Sequence, residues 1–123
     1  MWMTLTLVCG VITVLILALL AFVMWRDPED GLRQTTHLKE QLPLVMADRY
    51  TAFAFLALAF TLLGDVRVLS IFFVACAYMG LTDGWLYHRA GHPHWKHTVS
   101  GILSLIAAAI ACMALLSGSG ASG

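Results

Sequence analysis

Charge is what this sequence has least of. Only 11% of its 123 residues are Asp, Glu, Lys or Arg, and 60% are hydrophobic. Soluble domains carry about 25% charged residues, so a water-soluble fold is excluded for most of the chain. Formal net charge is zero, which leaves no global field to attract nucleic acid. Cysteine is scarce as well. Cys9, Cys76 and Cys112 stand alone in apolar runs, with no Cys-x-x-Cys. That argues against a disulfide framework and a redox pair; the three are read as small packing residues, with a disulfide or thiolate role as the lesser alternative. No nucleophile motif, phosphate loop or haem-binding motif is present, and no cofactor is expected.

What is present is a set of four long apolar runs. Trp2 to Trp25 holds no charged residue. It is long enough to cross about 30 Å of hydrocarbon at about 1.5 Å per residue, and a tryptophan at each end suits the interfacial belts. It reads as a span rather than a signal peptide, because it lacks a basic leader and its apolar core is too long. Val8 before Cys9 does not suit a lipoprotein site. The second span is expected over 43–63, the third over 66–87 and the fourth over 97–116. Only Gly64-Asp65 separates the second and third, which predicts a tight antiparallel hairpin. The expected fold is therefore an all-α membrane protein, a four-transmembrane-helix bundle forming one domain over 1–116. Residues 117–123, SGSGASG, read as a flexible linker-like tail.

Residues 26–42, RDPEDGLRQTTHLKEQL, make a polar connection. Asp27-Pro28-Glu29 looks like a capped helical start, which Gly31 is expected to interrupt. Leu32, Leu38 and Leu42 suit a short segment lying on the bilayer surface. The basic residues give an orientation. Four spans put both termini and the Gly64-Asp65 turn on one side, with Arg67 alone. Arg26, Arg33, Lys39, Arg49, Arg89 and Lys96 fall on the other. By the positive-inside rule the long loops are cytoplasmic and both termini outside, in the cell inner membrane.

Three charges break the apolar pattern. Asp48 and Arg49 lie about 16 residues from the turn, roughly 24 Å down the second helix. Asp83 lies about 18 residues along the third, roughly 27 Å by the same rise. All three are expected near one level, just inside the cytoplasmic boundary. A charge at that depth is costly, and an Arg49–Asp83 pair across the hairpin lowers the cost of both. Asp48 is then the spare carboxylate. A structural salt bridge with a snorkelling Arg49, and a polar pocket at the cytoplasmic end of the helices, are both open readings. Beside Asp83, the small residues Cys76, Gly80 and Gly84 recur every four positions, a stripe that serves helix–helix contact or makes room for a ligand.

The loop after the third span is rich in histidine: His88, His92, His94 and His97 fall within ten residues. Imidazole suits transition metals, but this spacing matches no defined site. No metal is assigned, and His92, His94 and His97 remain as candidates. The other reading is an interfacial set of aromatic and titratable groups, with His88 relaying protons to Asp83.

The charged pair opening the second span, the Gly64-Asp65-Val66-Arg67 turn, and Asp83 before a basic, histidine-containing loop resemble the small four-span DoxX-like membrane proteins, over about residues 43–115. The resemblance implies a four-helix membrane bundle and no particular activity; related proteins have been linked to quinone-coupled redox complexes and to other membrane assemblies. Asp48-Arg49 reverses the Arg-Asp order expected there.

Two function classes follow. One is an accessory or scaffold component whose charges orient and lock the helices. The other is a small membrane enzyme, of acid–base isomerase or cyclase type, acting on a lipophilic substrate. In it Asp83 or Asp48 moves protons, Arg49 holds an anionic or carbonyl oxygen, and His88 relays. The expected partners are the lipid bilayer, a membrane protein or a second copy of the chain, and a lipophilic small molecule.

Overall fold

A computed structural model describes residues 1–118, apart from the side chains of Trp2 and Met3. The Trp2 end of the first aromatic belt and the tail from residue 119 onward therefore lie outside the described residues. The helices are α1 (Trp2–Arg26), α2 (Pro28–Gln34), α3 (Leu42–Leu63), α4 (Val66–Arg89) and α5 (Trp95–Leu116), with a 3-10 turn at Lys39–Gln41. No strand occurs among the described residues. Four helices, all but α2, are long and apolar enough to cross a membrane. The all-α class expected from the sequence is the one observed, with span ends shifted by one or two residues. The chain divides inside α3 into two compact units, Met1–Arg49 and Tyr50–Gly123.

In the first unit, Asp27 caps α2 as expected. Its carboxylate accepts from the backbone N–H groups of Glu29 and Asp30 at 3.1 Å each, with Pro28 at the first helical position. Gly31 does not interrupt the helix. It is buried against α1, where an added Cβ would stand 2.6 Å from the Met24 sulfur and 3.1 Å from the Met24 Cα. The missing side chain lets α2 lie on α1. The helix instead ends in a Schellman motif: His37 N–H donates to Leu32 O at 2.8 Å and Thr36 N–H to Arg33 O at 3.1 Å. Thr36 carries the left-handed backbone, φ 58°, that this motif normally gives to glycine.

In the second unit, Gly64 (φ 67°) and Asp65 make the two-residue hairpin. Asp65 caps α4 by accepting from Arg67 N–H at 2.9 Å. Phe72 of α4 meets Phe60 and Phe53 of α3 with ring centroids 5.6 and 6.4 Å apart, contacts typical of aromatic pairs. The closest packing joins α4 to α5. A Cβ on Gly80 would meet Gly101 N at 2.6 Å, and one on Gly101 would meet Leu81 N at 2.6 Å. Backbone touches backbone there, as small residues allow in membrane helices. Ala77, Ala108 and Ala111 are buried around this contact. The expected stripe needs one correction. Ala77 is its buried member, and Cys76 is only half-buried. Cys9 and Cys112 also face outward, so they are not packing residues.

Candidate functional site

The α4–α5 contact sets what happens one turn nearer the loop. Gly84 is buried against Thr98, which brings the following face of α4 over the first turn of α5. α5 begins at Trp95, two residues before the expected start, so His97 stands inside the helix. Its Nδ1 lies 3.9 Å from an Asp83 carboxylate oxygen. The Tyr87 ring, one turn along α4 from Asp83, sits 4.7 Å from the His97 ring and 6.3 Å from that of His92. Asp83 and His97 are each partly covered, with side-chain exposures of 49% and 33%. A carboxylate, an imidazole and a phenol thus meet at one end of the pair.

The other histidines divide differently. α4 runs to Arg89, so His88 is in its last turn, with its ring 4.8 Å from His94 at the N-terminus of α5. α4 then closes in a second Schellman motif. Here His92 N–H donates to Tyr87 O at 2.9 Å, and Gly91 takes the left-handed position at φ 74°. Among the described residues no three His, Cys, Asp or Glu side chains converge as a metal set. The candidates His92, His94 and His97 are spread over Tyr87 and His88. The loop carries aromatic–cation contacts instead: Arg89 lies 4.9 Å over Trp85 and Lys96 5.7 Å over Trp95. Such pairs suit an interface, where a ring is half in lipid and the charge is wet.

Asp48 and Arg49 belong to the first unit. Asp48 faces outward in the second turn of α3. Arg49 lines a cavity with residues of α1 and the end of α2. In the polar connection, Asp30 bonds to Arg33 and Gln34. The Arg33 guanidinium, with help from the Gln34 amide, lowers the Asp30 carboxyl below its usual range. Lys39 Nζ pairs with Glu29 at 2.9 Å. His97 is the residue that sequence reasoning left out of the acid–base set. No signal within the sequence marks it, because its place opposite Asp83 is set by how α4 packs on α5.

Four membrane-length helices with polar groups gathered at helix ends define a small multi-span integral membrane protein. Within that class the chain belongs to the family described as a domain of unknown function, DUF4267, whose model matches residues 22–111. No curated protein and no solved structure matches it.

Proposed function

We propose that this protein is an accessory or scaffold component of a membrane assembly, with its polar ends at the cytoplasmic boundary of the inner membrane. The observation that carries this reading is the α4–α5 contact. Its backbone-to-backbone packing is a glycine-to-glycine helix approach, and the Asp83–His97 contact braces the end of the same pair. Such a pair is a rigid post, and the apolar faces of α1 and α3 remain turned outward, to lipid or to a partner.

The acid–base enzyme is the second reading, and the meeting of Asp83, His97 and Tyr87 favours it. There Asp83 is the base, His97 replaces His88 as its proton partner, and the substrate is lipophilic. Complementation of a deletion strain separates the two. On the scaffold reading, Asp83→Asn and His97→Gln complement, while Gly101→Leu does not. Loss of complementation by Asp83→Asn in a chain that still folds and inserts would overturn it. Orientation rests on the basic residues. Cysteines placed at Arg33 and Arg89 should resist an impermeant maleimide added from outside; labelling of either position in intact cells reverses the topology.

A further inference from the structure

Arg49 sits about seven residues into α3, or roughly 10 Å along it, where a charge is expensive without an anion. Among the described residues of its own unit no Asp or Glu, Glu40 included, forms an ion pair with it. Asp27 caps α2, Glu29 pairs with Lys39 and Asp30 with Arg33. Asp48 is the adjacent residue, and neighbours one position apart on a helix do not face each other. What surrounds Arg49 is a cavity of about 580 Å³, within the size range of ligand sites. Two sides of it differ in chemistry. Leu17, Leu20, Ala21 and Met24 form one wall; their spacing of three, four and seven places them on a single face of α1. Gln34, Thr35 and His37 join Arg49 at the other edge. There His37 Nδ1 is held 2.8 Å from Thr35 Oγ1, which itself donates to Gly31 O at 2.8 Å.

We infer that this cavity binds an anionic phospholipid of the bilayer, with its phosphate on Arg49 and one acyl chain along the α1 wall. The guanidinium fork matches phosphate oxygens in a bidentate way. Gln34 adds a neutral donor at the same edge. The apolar wall belongs to a membrane-length helix, so a lipid reaches it without leaving the bilayer, and a cation given no anion by its own unit selects an anionic head over a zwitterionic one. The inference is independent of the role assigned to Asp83 and His97.

Native mass spectrometry of the full chain in a non-ionic detergent tests it, with dioleoyl phosphatidylglycerol and the matching phosphatidylcholine as probes. The expected result is a one-to-one phosphatidylglycerol adduct that exceeds the phosphatidylcholine adduct and is not displaced by inorganic phosphate at the same concentration. Arg49→Gln should lower its occupancy about tenfold, the scale of one lost charge-assisted contact, while Arg67→Gln leaves it unchanged. Ala21→Trp fills the apolar wall with the charge intact and should also lower occupancy. It carries the test if Arg49→Gln fails to fold. Equal adducts of the two lipids overturn the proposal, as does phosphatidylglycerol binding that survives the folded Arg49 variant or, failing that, the Ala21 variant. Stronger binding of oleate than of phosphatidylglycerol overturns it in favour of a fatty-acid site.

Discussion

α1 and the α4–α5 pair are both strongly apolar, yet they meet their surroundings in opposite ways. α1 has no buried residue among those described, and its leucines, isoleucines and valines, apart from half-buried Val23, face outward. α4 and α5 bury glycines, alanines and Ser70, while many of their large residues, such as Ile71, Val74, Leu103 and Ile110, face outward. In water the large side chains would be inside. In a membrane the lipid tails are as apolar as leucine, so association comes from close packing, and small residues mark the contact. The comparison teaches that residue size, more than hydropathy, separates helix-facing from lipid-facing surface here.

The largest effect should come from breaking that rule where backbones touch. Gly101→Leu puts a branched side chain where even a Cβ stands 2.6 Å from Leu81 N. Overpacking of this kind costs about 1–3 kcal/mol and more where backbone must move, so we expect at least about 3 kcal/mol. Leu15→Ala, on an outward face of α1 at 64% exposure, should stay within about 0.5 kcal/mol. Thermal unfolding in detergent measures both. Comparable losses at the two positions would remove the distinction between the helices.

The second effect concerns the charges inside the apolar helices. Asp83 has His97 at 3.9 Å, whereas the sequence favours Arg49 as its partner. Double-mutant cycles on unfolding decide between them. We expect Asp83 and His97 to couple by about 0.5–1 kcal/mol at a pH where the imidazole is charged, the range of a partly exposed pair. The same cycle on Asp83 and Arg49 measures the pair that the sequence favours. A larger Arg49 coupling restores the expected pair and removes the need for an outside anion at Arg49.

The spans, the Gly64-Asp65 hairpin and the Asp27-Pro28 helix start were legible in the sequence because each rests on local chemistry: run length, turn residues and a capping carboxylate. The stripe on α4 was legible in kind but off in register. At about 100° per residue, Ala77 and Gly84 lie within about 20° of each other, while Cys76 falls about 80° from Gly84 at the margin of the face. Counting in fours drifts off the contact. His97 was missed for a different reason. Which α5 residue faces Asp83 depends on how α4 and α5 slide to bring Gly80 against Gly101, and no pattern within either helix encodes that offset. The role given to Gly31 failed similarly, because its small size serves α1 rather than the end of α2.

A smaller effect separates the two Schellman caps. Gly91 adopts φ 74° without strain, whereas Thr36 adopts φ 58° with a β-branched side chain. Left-handed backbone costs such a residue about 1–2 kcal/mol. Thr36→Gly should therefore stabilise the α2 terminus by about 1 kcal/mol, read as slower amide exchange at Thr36 and His37. Gly91→Thr should cost about as much at the end of α4. No change at either site would mean that the two caps tolerate side chains alike.

The smallest effect is in the polar connection, where the Asp30 side chain is half-buried. Its carboxyl is lowered chiefly by the bond from Arg33, with Gln34 second. A carboxyl lowered in the folded state binds its proton more weakly there than in the unfolded chain. Its contribution is then fully present above the unfolded value, about 3.9, and is lost as pH falls through the lower folded value. The α2 turn should therefore keep its helical amide shifts from neutral pH down to about 4 and loosen below it, while α4 and α5 hold. Arg33→Gln removes the main cause, so the Asp30 carboxyl should titrate nearer its ordinary value, followed by the side-chain carbon resonance. An Asp30 titration unchanged by Arg33→Gln would assign the shift to Gln34 and the α2 N-terminus, which also favours the charged form.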